Sequence, residues 1–168
     1  MQNYSILIVD DEQNILNTLR RLFANEGYIM YTAKDGEEGL KIVQEKEINL
    51  IISDQNMPGM SGIEFLERTV ENHPDVIRII LTGHAELDDA IRAVNSGCVY
   101  KFIQKPWNNE DLKITVRRAL EQYNLIMKNR DLTTELKNRD KIIEELERKH
   151  PGITKKPDDG IYQINTEK

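Results

Sequence analysis

Apolar residues along this chain follow two alternating rhythms. Short runs closed by turn residues, "YSILIV" (4–9), "YIMYTA" (28–33), "LIIS" (50–53), "VIRIILT" (76–82) and "YKFI" (100–103), have the length of buried strands. Between them lie stretches with helical spacing. In "NILNTLRRLFANEG" the residues Ile15, Leu16, Leu19, Leu22 and Phe23 share a face and Gly27 supplies a stop; "DGEEGLKIVQEKE", "GIEFLERTVENH" and "ELDDAIRAVNSG" repeat the pattern. Parallel neighbours need a crossover, and here each crossover is a helix. The expectation is an α/β fold: a doubly wound, five-stranded parallel sheet of the (βα)5, flavodoxin-like kind, with right-handed connections.

The last segment has a different rhythm. From Asn109 to Lys149 there is neither Pro nor Gly, and Leu112, Val116, Leu120 and Tyr123 fit a helix face packed on the sheet. Beyond them a second register runs through 125, 129, 132, 136, 139, 143 and 146. Leu125, Leu132, Leu136, Ile143 and Leu146 are apolar, and Asn129 and Arg139 interrupt them. This is a short heptad seam, expected to form a parallel homodimeric coiled coil with Asn129 setting register. An unbroken helix here is about 60 Å long, well past the edge of such a domain. After His150 the Pro151-Gly152 pair breaks the helix. The expected organisation is a domain over 1–123, a coiled-coil extension of the last helix over 124–149 and a tail over 150–168.

Charge and composition narrow the function classes. Residues 1–108 hold 10 Lys/Arg against 17 Asp/Glu, and residues 109–149 hold 10 against 9, so neither part presents a basic nucleic-acid surface. The longest unbroken aliphatic run, Ile6 to Val9, is far short of the roughly 20 residues of a membrane span. The amino terminus lacks the pattern of a secretory signal, which makes a cytoplasmic protein the expectation. Cys98 is the single cysteine, excluding an internal disulfide or a thiolate metal cluster; it reads as a small buried apolar residue.

The candidate chemistry lies where the strands end. Open α/β sheets bind ligands outside the carboxyl ends of their strands, and there the chain places Asp10 and Asp11, Asp54, Thr82 and Lys105. Singly, each has an ordinary explanation as a cap or a solvated residue. Together, three carboxylates converging on one crevice repel one another unless a positive group lies between them. A hard divalent cation meets that need: Mg²⁺ takes oxygen ligands and keeps several waters, so Asp11, Asp54 and the backbone carbonyl of Asn56 suffice, with Asp10 acting through water. A metal held in this way orients phosphoryl oxygens, and Asp54 can then be a nucleophile.

The motifs "ILIVDDE", "IISDQNMPGMSG", "IILTGH" and "YKFIQKPW", in this order and spacing, resemble the receiver domain of bacterial two-component response regulators over roughly residues 1–123. The resemblance implies that Asp54 is the phosphoacceptor and that Asp10 and Asp11 are the acidic metal pair. It further implies that Asn56 lends its carbonyl to Mg²⁺ or Mn²⁺, and that Thr82 is the switch hydroxyl. Lys105 would contact the phosphoryl group, and Phe102 would be the switch aromatic. Lys105-Pro106 falls where a cis bond is common in the family. Asn56 and His84 match sites that tune the lifetime of the acyl phosphate, and Trp107 departs from the commoner Phe or Tyr. The run "AIRAVNSGCVYKFIQKPW" is more like receivers joined to cyclic-di-nucleotide phosphodiesterases or transcription activators, and no such domain is expected within residues 124–168.

The expected function is a switch rather than an enzyme. A sensor histidine kinase donates a phosphoryl group to Asp54, and the face made by helix 4, strand 5 and helix 5 signals, with the coiled coil, to a downstream protein target. Neither nucleic acid nor a membrane is expected as a direct partner. Two alternatives compete: a Mg²⁺-dependent aspartyl-phosphate phosphatase and a phosphorylation-independent adaptor. The first usually needs a second Asp as general acid two residues after the nucleophile. That position is Asn56, which cannot serve.

Overall fold

The computed structural model describes residues 4–83, 87–152, 154–155 and 163–164. Five strands, β1 (Ser5–Val9), β2 (Ile29–Ala33), β3 (Leu50–Asp54), β4 (Ile77–Thr82) and β5 (Lys101–Gln104), form one parallel sheet in the order β2-β1-β3-β4-β5. The intervening helices are α1 (Gln13–Phe23), α2 (Gly36–Glu45), α3 (Gly62–Asn72) and α4 (Leu87–Asn95), and α5 (Asn109–Lys149) follows β5. This is the expected doubly wound sheet, and each element falls within a few residues of its sequence pattern.

The inner strands β1, β3 and β4 are buried along their whole length because both faces of the sheet are covered there, while the edge strands β2 and β5 are partly exposed. Leu7, Val9, Ile51 and Ile80 join one core cluster with Val43 of α2, Phe65 and Leu66 of α3, and Ala90 and Ala93 of α4. The intervening strand positions Ile6, Ile8, Leu50, Ile52 and Ile79 point to the opposite face, and they too are buried. The remaining buried helix faces, Leu16, Leu19 and Phe23 of α1 and Leu112, Val116, Ala119, Leu120 and Tyr123 of α5, cover that side.

Local signals start the helices where the sequence places them. Asp35 caps α2 by accepting from the Glu38 N–H at 2.8 Å, while Glu38 reaches back to the Lys34 N–H at 2.7 Å. Asn108 caps α5, its Oδ1 accepting from the Glu110 and Asp111 N–H groups. Arg78, buried in β4, donates to the carbonyls of Cys98, His73 and Pro74, which ties the end of α3 to the loop before β5.

The chain divides into two compact units, one ending at Leu125 and one beginning at Ile126. Within the second, two short strands, β6 (Thr154–Lys155) and β7 (Gln163–Ile164), pair antiparallel. The sequence pattern beyond His150 did not predict them, since two residues per strand are too few to show a period.

Cys98 is buried, as expected for a small apolar residue, and burial pushes its thiol above the ordinary value of 9.0, with Arg78 pulling the other way. The unfolded thiol ionises near 9.0 while the folded one stays protonated, so this group's contribution favours folding below that pH and is lost above it. At pH 8 Cys98 of the native chain is expected to react with a thiol reagent at least about tenfold more slowly than after unfolding in urea. Equal rates in the two states would contradict its burial.

Candidate functional site

Register determines which side chains meet. Val9 lies beside Ser53, Asp54 beside Leu81 and Thr82 beside Gln104, so β1, β3, β4 and β5 end nearly level. Asp10 therefore follows β1 and Asp54 ends β3 on either side of the point where the strand order reverses. That is where an open α/β sheet leaves a crevice. Lys105 follows β5 and reaches back across β4.

Asp10 and Asp54 are both buried, and the Lys105 ammonium lies on them, 2.6 Å from Asp54 Oδ1 and 3.4 Å from Asp10 Oδ2. The other carboxylate oxygens are held by main chain: Asp54 Oδ2 accepts from the Asn56 N–H and Asp10 Oδ1 from the Glu12 N–H, each at 2.8 Å. Burial pushes the Asp10 carboxyl above the usual carboxylate range. The Glu12 N–H and the Lys105 charge oppose the rise, and the Asp54 charge adds to it. For Lys105 burial favours the neutral amine, but the hydrogen bond to Asp54 and the charges of Asp54 and Asp10 outweigh it and raise the ammonium above the ordinary lysine value.

The remaining expected site residues are placed as follows. Thr82 is fully buried and its hydroxyl donates to the Gly83 carbonyl at 3.2 Å. Its own carbonyl accepts from the Lys105 N–H at 2.8 Å, so β4 carries the loop that presents the lysine. The Lys105-Pro106 bond is cis. Phe102 is half-buried against the core. Asp11 and the Asn56 side chain are exposed, and Trp107 is half-buried. His84 lies outside the described residues. Thus the structure brings Asp10, Asp54 and Lys105 into direct contact, with Thr82 on the adjoining strand end and Asp11 next to Asp10.

Among the described residues no three His, Cys, Asp or Glu side chains form a metal-holding group. The donor set nonetheless fits a hard cation. Mg²⁺ usually takes one or two carboxylates, fills its octahedron with water and shuns nitrogen and sulfur. Here two buried carboxylates share a single ammonium as counter-charge, Asp11 adjoins, and every candidate donor is oxygen.

Two supporting residues escaped the sequence reading. A Cβ on Gly62 would fall 2.0 Å from the Asp54 carbonyl oxygen, so the start of α3 lies directly against the end of β3. Gln55, buried beside Asp54, accepts from the Gly62 N–H through its carbonyl and from the Ile63 N–H through Oε1, both at 3.0 Å. The Ser-x-x-Glu of "SGIE" was a legible capping signal, and the Ser61 hydroxyl does accept from the Glu64 N–H at 3.2 Å. No local signal marks residue 55 as the partner of an amide eight positions on.

Residues 6–117 match the model of the response regulator receiver domain. The chain is 35% identical over 121 residues to the hydrogenase transcriptional regulatory protein HoxA of Cupriavidus necator, covering 72% of this chain and 25% of HoxA. It is 32% identical over 145 residues to a putative NtrX-like response regulator of Rickettsia bellii, covering 85% and 30% of the two chains. The crystal structure of a response regulator receiver domain protein from Clostridium thermocellum superposes with a TM-score of 0.70 at 35% identity, covering 73% of this chain and 98% of that one. The chain thus spans between a quarter and a third of the length of these curated relatives.

Proposed function

The chain belongs to the response regulator receiver domain family, and from that premise we propose that Asp54 accepts a phosphoryl group from the phosphohistidine of a sensor histidine kinase. The observation that carries the reading is the Lys105 ammonium held 2.6 Å from a buried Asp54 carboxylate beside a second buried carboxylate, Asp10. An Asp54 oxygen bonds to phosphorus as the phosphorus–nitrogen bond of the donor breaks. Such transfers have a loose transition state, so positioning and neutralisation of charge supply most of the acceleration. Lys105 exchanges its bond to Asp54 for one to a phosphoryl oxygen.

Receiver domains as a family bind Mg²⁺ at the phosphorylation site. Here Asp10, Asp11, Asp54 and the Asn56 carbonyl would hold it, and when bound it supplies neutralising charge to the incoming phosphoryl oxygens. The Asn56 N–H, already on Asp54 Oδ2, keeps the carboxylate oriented throughout. The Thr82 hydroxyl turns from the Gly83 carbonyl to a phosphoryl oxygen, and Phe102 moves toward the vacated space. A charge change at Asp54 thereby biases a two-state element, the face of α4, β5 and α5. Asn56 and His84 adjust how long the acyl phosphate lasts.

The test is incubation with acetyl phosphate and Mg²⁺, followed by intact-mass spectrometry. Uptake of about one phosphate per chain with slow release supports a switch. Sustained turnover would favour a phosphatase, and the absence of any uptake would favour an adaptor whose acidic crevice has no phosphate chemistry.

The output side of the proposal rests on α5. Leu125, Leu132 and Leu136, all on the heptad seam, are 56%, 57% and 50% exposed, an apolar stripe that a second copy of the same helix would cover. A homodimer through this seam would pass the state of α5 to a downstream protein target. Sedimentation of the full chain is expected to give twice the monomer mass, and a chain ending at Tyr123 the monomer mass. The same association state for both would refute the seam.

A further inference from the structure

We propose that Gln55 is a positioning residue for phosphoryl transfer, a role that rests on the reading of Asp54 as acceptor. Gln55 immediately follows β3, is 8% exposed and makes hydrogen bonds from three of its groups. Its N–H donates to the Leu81 carbonyl at 2.9 Å, which anchors it to β4. Its carbonyl accepts from the Gly62 N–H and its Oε1 from the Ile63 N–H, both at 3.0 Å. These are the first two amides of α3, and the third, Glu64, goes to Ser61. One side chain and its own peptide thus satisfy two helix-start donors that otherwise lack intrahelical partners.

The consequence falls on the loop between. Residues 56–61 leave Gln55 and return to it, so its side chain closes the loop at the same residue whose peptide opens it. The peptide entering Gln55 is held by Leu81, and the peptide joining Gln55 to Asn56 is held by α3 through the Gln55 carbonyl. That second peptide carries the N–H which lies 2.8 Å from Asp54 Oδ2. The next peptide carries the Asn56 carbonyl assigned to the metal. Gln55 touches neither the Asp54 carboxylate nor the incoming phosphate. Its side chain faces away, lining the groove between α3 and α4 with Ile63, Ala93 and Ser96. It acts by holding the loop in the one conformation that presents both groups.

Gln55→Met keeps the unbranched shape and removes the acceptor, leaving the partly buried Ile63 N–H without its partner; Gln55→Glu keeps the acceptor. The unaltered chain and both variants are incubated with acetyl phosphate and Mg²⁺, phosphate on Asp54 is followed by intact mass, and Mg²⁺ is titrated alone by Trp107 fluorescence. Q55M is expected to take up phosphate about tenfold more slowly and to bind Mg²⁺ about threefold more weakly, with Q55E within about twofold of the unaltered chain in both. A purely structural role lowers the urea midpoint of Q55M and leaves uptake and Mg²⁺ affinity unchanged, which would overturn the inference. If Q55M does not fold, Q55E decides: retained uptake supports the acceptor's role and a tenfold loss overturns it. Failure of the unaltered chain to take up phosphate would overturn the reading of Asp54 itself, and with it this one.

Discussion

Asp54→Asn is expected to take up no phosphate from acetyl phosphate and Mg²⁺ under conditions where the unaltered chain acquires one. The amide has no anionic oxygen to form the bond to phosphorus, and it removes the carboxylate on which Lys105 Nζ lies at 2.6 Å. The fold should survive, because the amide oxygen can still accept the Asn56 N–H and Lys105 keeps Asp10 at 3.4 Å. Intact-mass spectrometry reads the result directly, and the urea midpoint confirms that the variant is folded. Phosphate on the variant at the level of the unaltered chain would place the acceptor elsewhere and sink the central assignment.

Gly62→Ala is expected to be the most damaging small substitution near the site. The added carbon would lie 2.0 Å from the Asp54 carbonyl oxygen, 2.9 Å from its carbon and 3.0 Å from Gln55 Cα. All three are backbone atoms of a central strand's end, so no rotamer change relieves the clash. Either α3 moves off the sheet, breaking its bonds to Gln55, or β3 shifts and carries Asp54 with it. A loss of about 3 kcal/mol or more follows, and uptake falls too because the Asn56 N–H leaves the carboxylate. Gly36→Ala is the control. Its added carbon meets the Met60 sulfur at 2.7 Å and the Met60 Cβ and Cγ at 3.3 Å; the thioether can swing aside and the rest shift by a few tenths of an ångström, at a cost of about 1 kcal/mol. Equal urea midpoints for the two variants would show that the contact at Gly62 is not rigid.

Much of the fold was legible from the chain alone because its signals are local and repeated. Apolar runs such as Leu50 to Ile52, covered on both faces, carry their strand character in composition, and "NILNTLRRLFANEG" carries a helix face and its stop. The same legibility extended to Asp10, Asp54, Thr82 and Lys105 as neighbours, since once strands alternate with helices the carboxyl ends must share one edge of the sheet. The pairing of Thr154–Lys155 with Gln163–Ile164 was not legible, because two-residue strands have no period.

What the sequence determined by itself was therefore the order of the elements, the edge of the sheet on which Asp10, Asp54, Thr82 and Lys105 gather and the residue types found there. Only the tertiary structure decided how those residues meet. It put the Lys105 ammonium on Asp54 and Asp10 across a distance of 95 positions from Asp10 in the chain, and left Asp11 exposed beside them. It also set Gln55 and Gly62 against each other where β3 meets the start of α3, beside Asp54. The physical reason is one of range. Periodicity and capping act within a turn or a strand, whereas an ion pair, a remote cap or a forbidden Cβ depends on how separate strand ends are brought level by the packing of the whole sheet.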